Sequence, residues 1–303
     1  FLSIGIWYNC TNQFIVQRCL GARSEWDARM GVVFAGFIKV LLPLLIVIPG
    51  IVAFRLYPDL DDKDLAFPTL VRTLLPAGLS GIVMAGLASG MLSHVSSVLN
   101  SCSTVFTMDL YKPLFPGPKD DAHLVRVGRW SGFVILVVAT LLAMWFTHHD
   151  LGVFLLIQNI GAWVAAPISA VFLAGVLWSR ATAPAATAVL WLGFPYTWFV
   201  ENVLFKQVAA LQPFDNWLNR TFVVWITSLV AMVVISLCTA PPRPEQVAGI
   251  TWSPAMAALP EVERRTHGGV RSLFLWWAVF VGLMVLLYAF MLWFQFAGPA
   301  KGL

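Results

Sequence analysis

Lys39 has the position that most clearly demands a chemical role. It lies deep inside the apolar segment 30–56, shortly before Pro43 and Pro49. An ammonium group at such a depth in a bilayer costs at least ~2.5–3.5 kcal/mol unless it meets a partner or a polar cavity. We therefore expect Lys39 to face the interior of a helix bundle and to bind a polar ligand. The alternative is a side chain whose ammonium group reaches the membrane surface, but such a lysine would lie closer to the end of its segment than Lys39 does.

A second set of polar residues lies in segment 78–107. Small and hydroxyl-bearing residues recur there at four-residue spacing, so they form stripes along a helix. Such stripes allow close helix packing, and their oxygens are also the ligands that a hard cation prefers. Both interpretations stay open. The residues concerned include Gly86, Gly90, Ser93, His94, Ser96, Ser97 and Ser101.

Two further groups of polar residues interrupt apolar segments. Gln158 and Asn159 precede a run of small residues and Pro167, while Asn12 and Gln13 follow Tyr8. An amide pair followed by proline suggests a helix bent towards a polar cavity, although Gln158 could instead only bridge two helices. Together with Lys39, these groups are typical of a hydrated pathway through a membrane protein.

The composition explains which structural elements must position these groups. Of 303 residues, 59% are hydrophobic and 11% charged, with a mean hydropathy of +0.80. A soluble chain carries about 25% charged residues. The composition therefore excludes a soluble enzyme, a disulfide scaffold and a nucleic-acid-binding domain. No zinc-protease, phosphate-loop or nucleophile-elbow motif occurs, and we do not expect an enzyme.

Apolar segments long enough to cross a bilayer predict an all-α, multi-pass protein of the cell membrane with eight spans. The predicted spans are 1–17, 30–56, 78–107, 126–147, 151–178, 183–205, 219–239 and 272–296. Loops on the side of the first loop carry about twice as many basic residues as the others, which makes that side cytoplasmic. The segment near 240–270 is then a cytoplasmic linker.

Two long motifs resemble the sodium/solute symporter family, and within it the sodium/glucose cotransporter branch. They are WYNCTNQFIVQRCL at 7–20 and NSCSTVFTMDLY at 100–111, with Lys39 between them. The resemblance implies a LeuT-type fold of two inverted five-helix repeats around a midplane site. Residues 1–178 would form the second repeat, beginning within the sixth core helix, and 179–303 would add further helices. The first repeat is expected to be absent from this chain.

The resemblance also implies a sugar site. Tyr8 corresponds to an aromatic gate beneath the sugar, Lys39 and Gln158 to sugar-binding groups, and Phe154 to an aromatic neighbour. Amide and ammonium groups can hydrogen-bond sugar hydroxyls. Gly5 stands where relatives have an Asn or Thr that helps to bind sugar, so one expected contact is missing.

For sodium, the resemblance implies a site formed by the Gly90 carbonyl and two hydroxyls, at the positions of Ser93 and His94. His94 departs from the family pattern, because a neutral imidazole is a poor ligand for an alkali cation and a protonated one repels it. Sodium coupling could be weakened, protons could couple through His94, or the imidazole could turn away. Ser96 and Ser97 match a second sodium site of some relatives, and either could help.

These expectations describe a cation-coupled secondary transporter of a sugar or polyol that works by alternating access. Its partners would be the lipid bilayer, the sugar or polyol, and sodium or a proton, with no nucleic acid and no cofactor besides the coupling ion. The alternatives are a proton-coupled or uncoupled sugar transporter and a membrane sensor that binds sugar without moving it.

Overall fold

The computed structural model describes residues 2–60, 62–117, 120–146, 153–208 and 211–297. Within these residues the regular structure is entirely helical. The α-helices are α1 Leu2–Ile6, α2 Gln13–Leu20, α3 Glu25–Leu56, α4 Ala66–Leu74, α5 Ala77–Val105, α6 Lys112–Leu114, α7 Asp121–Phe146, α8 Val153–Leu177, α9 Ala183–Phe199, α10 Phe205–Gln207, α11 Trp217–Cys238, α12 Pro244–Val247, α13 Pro254–Ala257, α14 Glu261–Thr266 and α15 Leu273–Ala297. The π-helical turns are Trp7–Thr11, Phe106–Tyr111 and Val200–Leu204, and the 3₁₀ turns are Lys63–Leu65, Gln212–Phe214 and Gly269–Arg271.

Six of the eight predicted spans are helices long and apolar enough to cross a membrane, among the residues that the structure describes. The corresponding helices are Glu25–Leu56, Ala77–Leu114, Asp121–Phe146, Leu156–Leu177, Trp217–Cys238 and Leu273–Trp293. The predicted class, an all-α polytopic membrane protein, is confirmed. The two other predicted spans, 1–17 and 183–205, are helical but contain π-helical turns, and the first is also broken at Asn12, whose backbone is extended (φ −76°, ψ 113°).

The chain divides into two compact units by its internal contacts. The first comprises Phe1–Val16 and Leu60–Trp252, and the second comprises Gln17–Asp59 and Ser253–Leu303. These units are defined by internal contacts. The predicted boundary at 178 instead separates the second five-helix repeat from the appended helices, and it stays a prediction.

The core of the first unit is the packing of α8 against α9 and α11. The contact face of α8 is a stripe of alanines at four-residue spacing, namely Ala162, Ala166, Ala170 and Ala174, all buried. Small residues let helix backbones approach closely. In lipid, where the hydrophobic effect does not drive helices together, this close packing supplies the attraction between them. The approach is closest at Pro167, because a Cβ atom on Gly193 of α9 would lie 2.6 Å from its Cγ atom.

Buried hydroxyls join the turn between α8 and α9 to the end of α11. The backbone N–H of Thr182 donates to Ser236 Oγ at 3.2 Å, and the hydroxyls of Thr182 and Thr239 lie 2.8 Å apart. Arg180 donates to the Thr239 carbonyl at 2.9 Å. These bonds satisfy polar groups that the helix ends would otherwise leave unpaired.

In the second unit, α15 packs along α3. Phe37 meets Phe280 edge-on, with ring centroids 5.3 Å apart, and the Phe280 ring also lies over Gly36. Because successive helical residues are about 100° apart, Lys39 lies on another side of α3 from Phe37.

The end of the predicted linker is held against the start of α3. Trp26 stacks on His267 with ring centroids 4.2 Å apart, and its backbone N–H donates to Glu263 Oε2 at 2.8 Å. Arg29 donates to the carbonyls of Ala257 and Met256 at 2.6 and 2.9 Å. Glu263 thereby supplies an acceptor to the first turn of α3, where backbone N–H groups lack helical partners.

The Gly193–Pro167 contact predicts the effect of adding a methyl group at this position. Gly193→Ala should destabilise the protein by about 1–3 kcal/mol, because the methyl group would overlap a buried proline ring. Thermal melting of the purified protein in detergent measures the change. Gly175→Ala is the matched control, since its added Cβ atom would meet nothing within 4 Å. Equal melting temperatures for the two variants would contradict the prediction.

Candidate functional site

Tyr8 lies in the π-helical turn Trp7–Thr11, and this turn and α1 both pack against α8. The Tyr8 side chain is 38% exposed and meets the Phe14 ring edge-on, with centroids 6.2 Å apart. The segment that carries the predicted gate therefore lies against the helix that carries Gln158. π-helical turns are rare and occur frequently at functional sites.

Polar side chains around Tyr8 bind the backbone of the interrupted helix. Asn9 donates to the Gly5 carbonyl at 2.9 Å, Thr11 to the Trp7 carbonyl at 2.6 Å, and Asn12 to the Tyr8 carbonyl at 3.2 Å. These side chains bond backbone carbonyls in and next to the segment where the regular α-helical pattern is interrupted. Gln13 differs, because its buried Oε1 atom has no hydrogen-bond partner among the described residues.

Gln158 and Asn159 lie near the start of α8 and are both partly exposed. Phe154 belongs to the first turn of the same helix, and its side chain lies outside the described part of the structure. Gly5 lies on α1, and a Cβ atom added there would meet nothing within 4 Å. There is consequently room for a Cβ atom at this position.

Lys39 belongs to the second unit, on the exposed surface of α3. Tyr8, Phe154 and Gln158 all belong to the first unit. The participation of Lys39 in one site with these residues remains a prediction.

The predicted sodium-binding residues lie on α5, in the first unit. Gly90, Ser93, His94 and Ser96 are exposed, and Ser97 is half-buried. The Ser97 hydroxyl donates to the Ser93 carbonyl at 2.9 Å. This bond uses the hydroxyl proton of Ser97.

An aromatic cluster of Tyr8, Phe14 and His94 joins the predicted gate to the predicted sodium-binding helix. Phe14 meets the His94 ring edge-on, with centroids 5.3 Å apart and planes at 89°, and it also meets Tyr8. Edge-to-face contacts at such distances are attractive. The residue that departs from the family pattern thus contacts the segment that carries the gate.

The sequence analysis missed a charged network in the first unit. Glu201 accepts hydrogen bonds from Trp163 Nε1 and Arg220 Nη1, both at 2.7 Å, and Arg220 Nε lies 2.5 Å from Asp215 Oδ1. These residues join α8, the π turn Val200–Leu204, and α11. The signal was present in the sequence, because Glu201 lies inside the predicted span 183–205, where a carboxylate needs a partner just as an ammonium group does.

The Glu201–Arg220 pair is largely shielded, since each side chain is 21% exposed. A shielded pair is screened less than a surface pair, and removing one partner leaves the other charge uncompensated. Glu201 also holds the indole of Trp163, which lies five residues after Gln158 on α8. The network therefore connects the polar start of α8 to its neighbouring helices.

The six long apolar helices among the described residues define a multi-pass membrane protein. Residues 2–193 match the family model described as "Sodium:solute symporter family". The chain belongs to this family, and the resemblance noted in its two motifs is confirmed.

Several characterised proteins are similar to the chain. Sodium/myo-inositol cotransporter 2 of Sus scrofa is 32% identical over 276 residues, covering 82% of this chain and 41% of that protein. The sodium/glucose cotransporter of Vibrio parahaemolyticus is 35% identical over 241 residues, covering 74% of this chain and 44% of that protein. Human sodium/glucose cotransporter 4 is 30% identical over 293 residues, covering 87% of this chain and 43% of that protein. The chain thus spans about two fifths of the length of these relatives.

The charged network predicts a graded effect of substitution at Glu201. Glu201→Ala should lower stability by about 1–3 kcal/mol, because the Trp163 N–H loses its acceptor and Arg220 keeps only Asp215. Glu201→Gln keeps an acceptor oxygen, so its stability should lie between that of Glu201→Ala and that of the wild type.

Thermal melting in detergent measures both changes, and Glu245→Ala, an exposed acid in the linker, controls for loss of charge. If Glu201→Ala and Glu245→Ala have the same melting temperature, the network does not stabilise the protein.

Proposed function

We propose that the protein containing this chain is a sodium-driven symporter that moves a sugar or related polyol across the cell membrane by alternating access. The family match over residues 2–193 carries the proposal. The names of the similar proteins, which are sodium/glucose and sodium/myo-inositol cotransporters, support the same class of solute and ion. The packing of the Tyr8 segment on α8 gives further support.

In this proposal the solute is bound by Lys39 and Gln158 and covered by aromatic rings. The ammonium and amide groups donate to hydroxyls of the solute, and the amide oxygen accepts from them. Tyr8 and Phe154 cover the apolar face of the ring, and Tyr8 closes the path to one side of the membrane. The family's second repeat would occupy residues 1–178 and the appended helices 179–303.

The coupling ion would bind on α5, at the Gly90 carbonyl and Ser93 hydroxyl, with His94 at the third family position. Ser96 and Ser97 are the proposed second site. Oxygen ligands suit sodium, whereas imidazole does not. His94 is therefore the residue at which this protein would differ from its relatives in coupling, with proton coupling or uncoupled transport as the alternatives.

Counterflow uptake of labelled glucose and myo-inositol into proteoliposomes carrying the full-length protein tests the function. Saturable, sodium-stimulated uptake of one of them is expected. Lys39→Ala should raise the apparent KM by about tenfold or more, because a hydrogen bond to a charged group contributes about 1.5–3 kcal/mol.

The matched control is Lys206→Ala, since Lys206 is an exposed lysine that donates to Asn202 outside the proposed site. An unchanged KM in Lys39→Ala would remove Lys39 from the site. Binding of the sugar without uptake would instead identify a sensor, and no saturable uptake or binding of any sugar or polyol would contradict the proposal.

His94 predicts how the coupling ion can be changed. His94→Ser restores the family hydroxyl and should lower the sodium concentration that gives half-maximal uptake, because a hydroxyl oxygen replaces a poor ligand. His94→Ala is the control, since it removes the same ring contact with Phe14 without adding an oxygen. Uptake is measured over a sodium titration at fixed pH. Equal sodium dependence in the Ser and Ala variants would exclude this position from the sodium site.

A further inference from the structure

Four exposed side chains form a continuous face at the start of α7. Arg126, Arg129, Trp130 and Phe133 follow the spacing of residues that share one side of a helix. Trp130 is 69% exposed and Phe133 58% exposed. Together the four residues line a shallow concave surface of about 520 Å³.

The two arginines carry uncompensated positive charge in the described part of the chain. Neither guanidinium lies within 4 Å of a described carboxylate, and the hydrogen bond of Arg126 goes to the Ala122 carbonyl at 3.5 Å. Like charges one turn apart on a helix repel each other. An anion placed between them would remove this repulsion and accept hydrogen bonds from both guanidinium groups.

The face changes from basic to apolar along the helix. α7 is one of the helices long enough to cross a membrane, and the two arginines lie in its second turn and at the start of its third. Below them Trp130, Phe133, Val137 and Leu141 continue the same stripe, and all are exposed. Arginine at the helix end, tryptophan at the boundary and aliphatic residues beyond match the order of headgroup, glycerol and acyl chain in a phospholipid.

We propose that this face of α7 binds an anionic phospholipid. Arg126 and Arg129 donate hydrogen bonds to the phosphate oxygens, while Trp130 and Phe133 pack against the glycerol and the upper acyl chain. A basic pair at one end of a wholly apolar stripe complements a molecule with one charged end. The site is separate from the proposed sugar and sodium residues, so the proposal does not depend on the transported solute.

Native mass spectrometry of the purified full-length protein with added phosphatidylglycerol or phosphatidylcholine tests the proposal. The wild type should retain phosphatidylglycerol in preference to phosphatidylcholine. Arg126→Gln with Arg129→Gln should weaken phosphatidylglycerol binding by about twenty-five-fold, since each arginine near a membrane surface contributes about fivefold. Arg126→Lys with Arg129→Lys should retain most of the binding, because both charges remain.

The matched control is Arg243→Gln with Arg264→Gln, which removes two exposed charges from the linker and should leave the lipid preference unchanged. Melting temperatures without added lipid show whether each variant is folded. Equal retention of the two lipids by the wild type, or equal loss in the control pair, would overturn the proposal. Equal retention of phosphatidylglycerol by the wild type and by Arg126→Gln with Arg129→Gln would overturn it as well.

Discussion

A polar group inside a membrane-spanning segment must find a partner there, and the most informative contacts of this chain follow from that requirement. Glu201 meets Arg220 and Trp163, so that a carboxylate within a helical segment is held by two neighbouring helices. Asn9 and Asn12 donate to backbone carbonyls in and next to the π-helical turn. Polar residues that look functional in the sequence thus also bond the local backbone.

The two parts of α8 have different physical properties, and this difference connects packing to the proposed function. From Ala162 onwards, small buried residues hold the helix against α9 and α11. Before that point, Gln158 is partly exposed. Trp163 lies at the boundary and is bonded to Glu201. The packed part of α8 therefore supports the helix start that carries Gln158.

Much of the fold could be predicted from hydrophobic periodicity and charge, because segments such as 219–239 and 272–296 coincide with single helices to within a few residues. The π-helical turns could not, since they depend on how neighbouring helices pack. The contact of Trp163 with Glu201 joins residues 38 positions apart, and that of Phe14 with His94 joins two helices. Composition and spacing do not report such pairs. The roles of Tyr8, Lys39, Phe154 and Gln158 came from the family resemblance and stay predictions.

We propose that Lys39, Gln158 and Tyr8 act on one solute. A structure of the full-length protein with sodium and a bound hexose or inositol tests it most directly. We expect a solute with hydroxyls within hydrogen-bond distance of Lys39 Nζ and of the Gln158 amide, and with the Tyr8 ring over its apolar face. A solute bound elsewhere, with the Lys39 side chain turned towards lipid or headgroups, would contradict it.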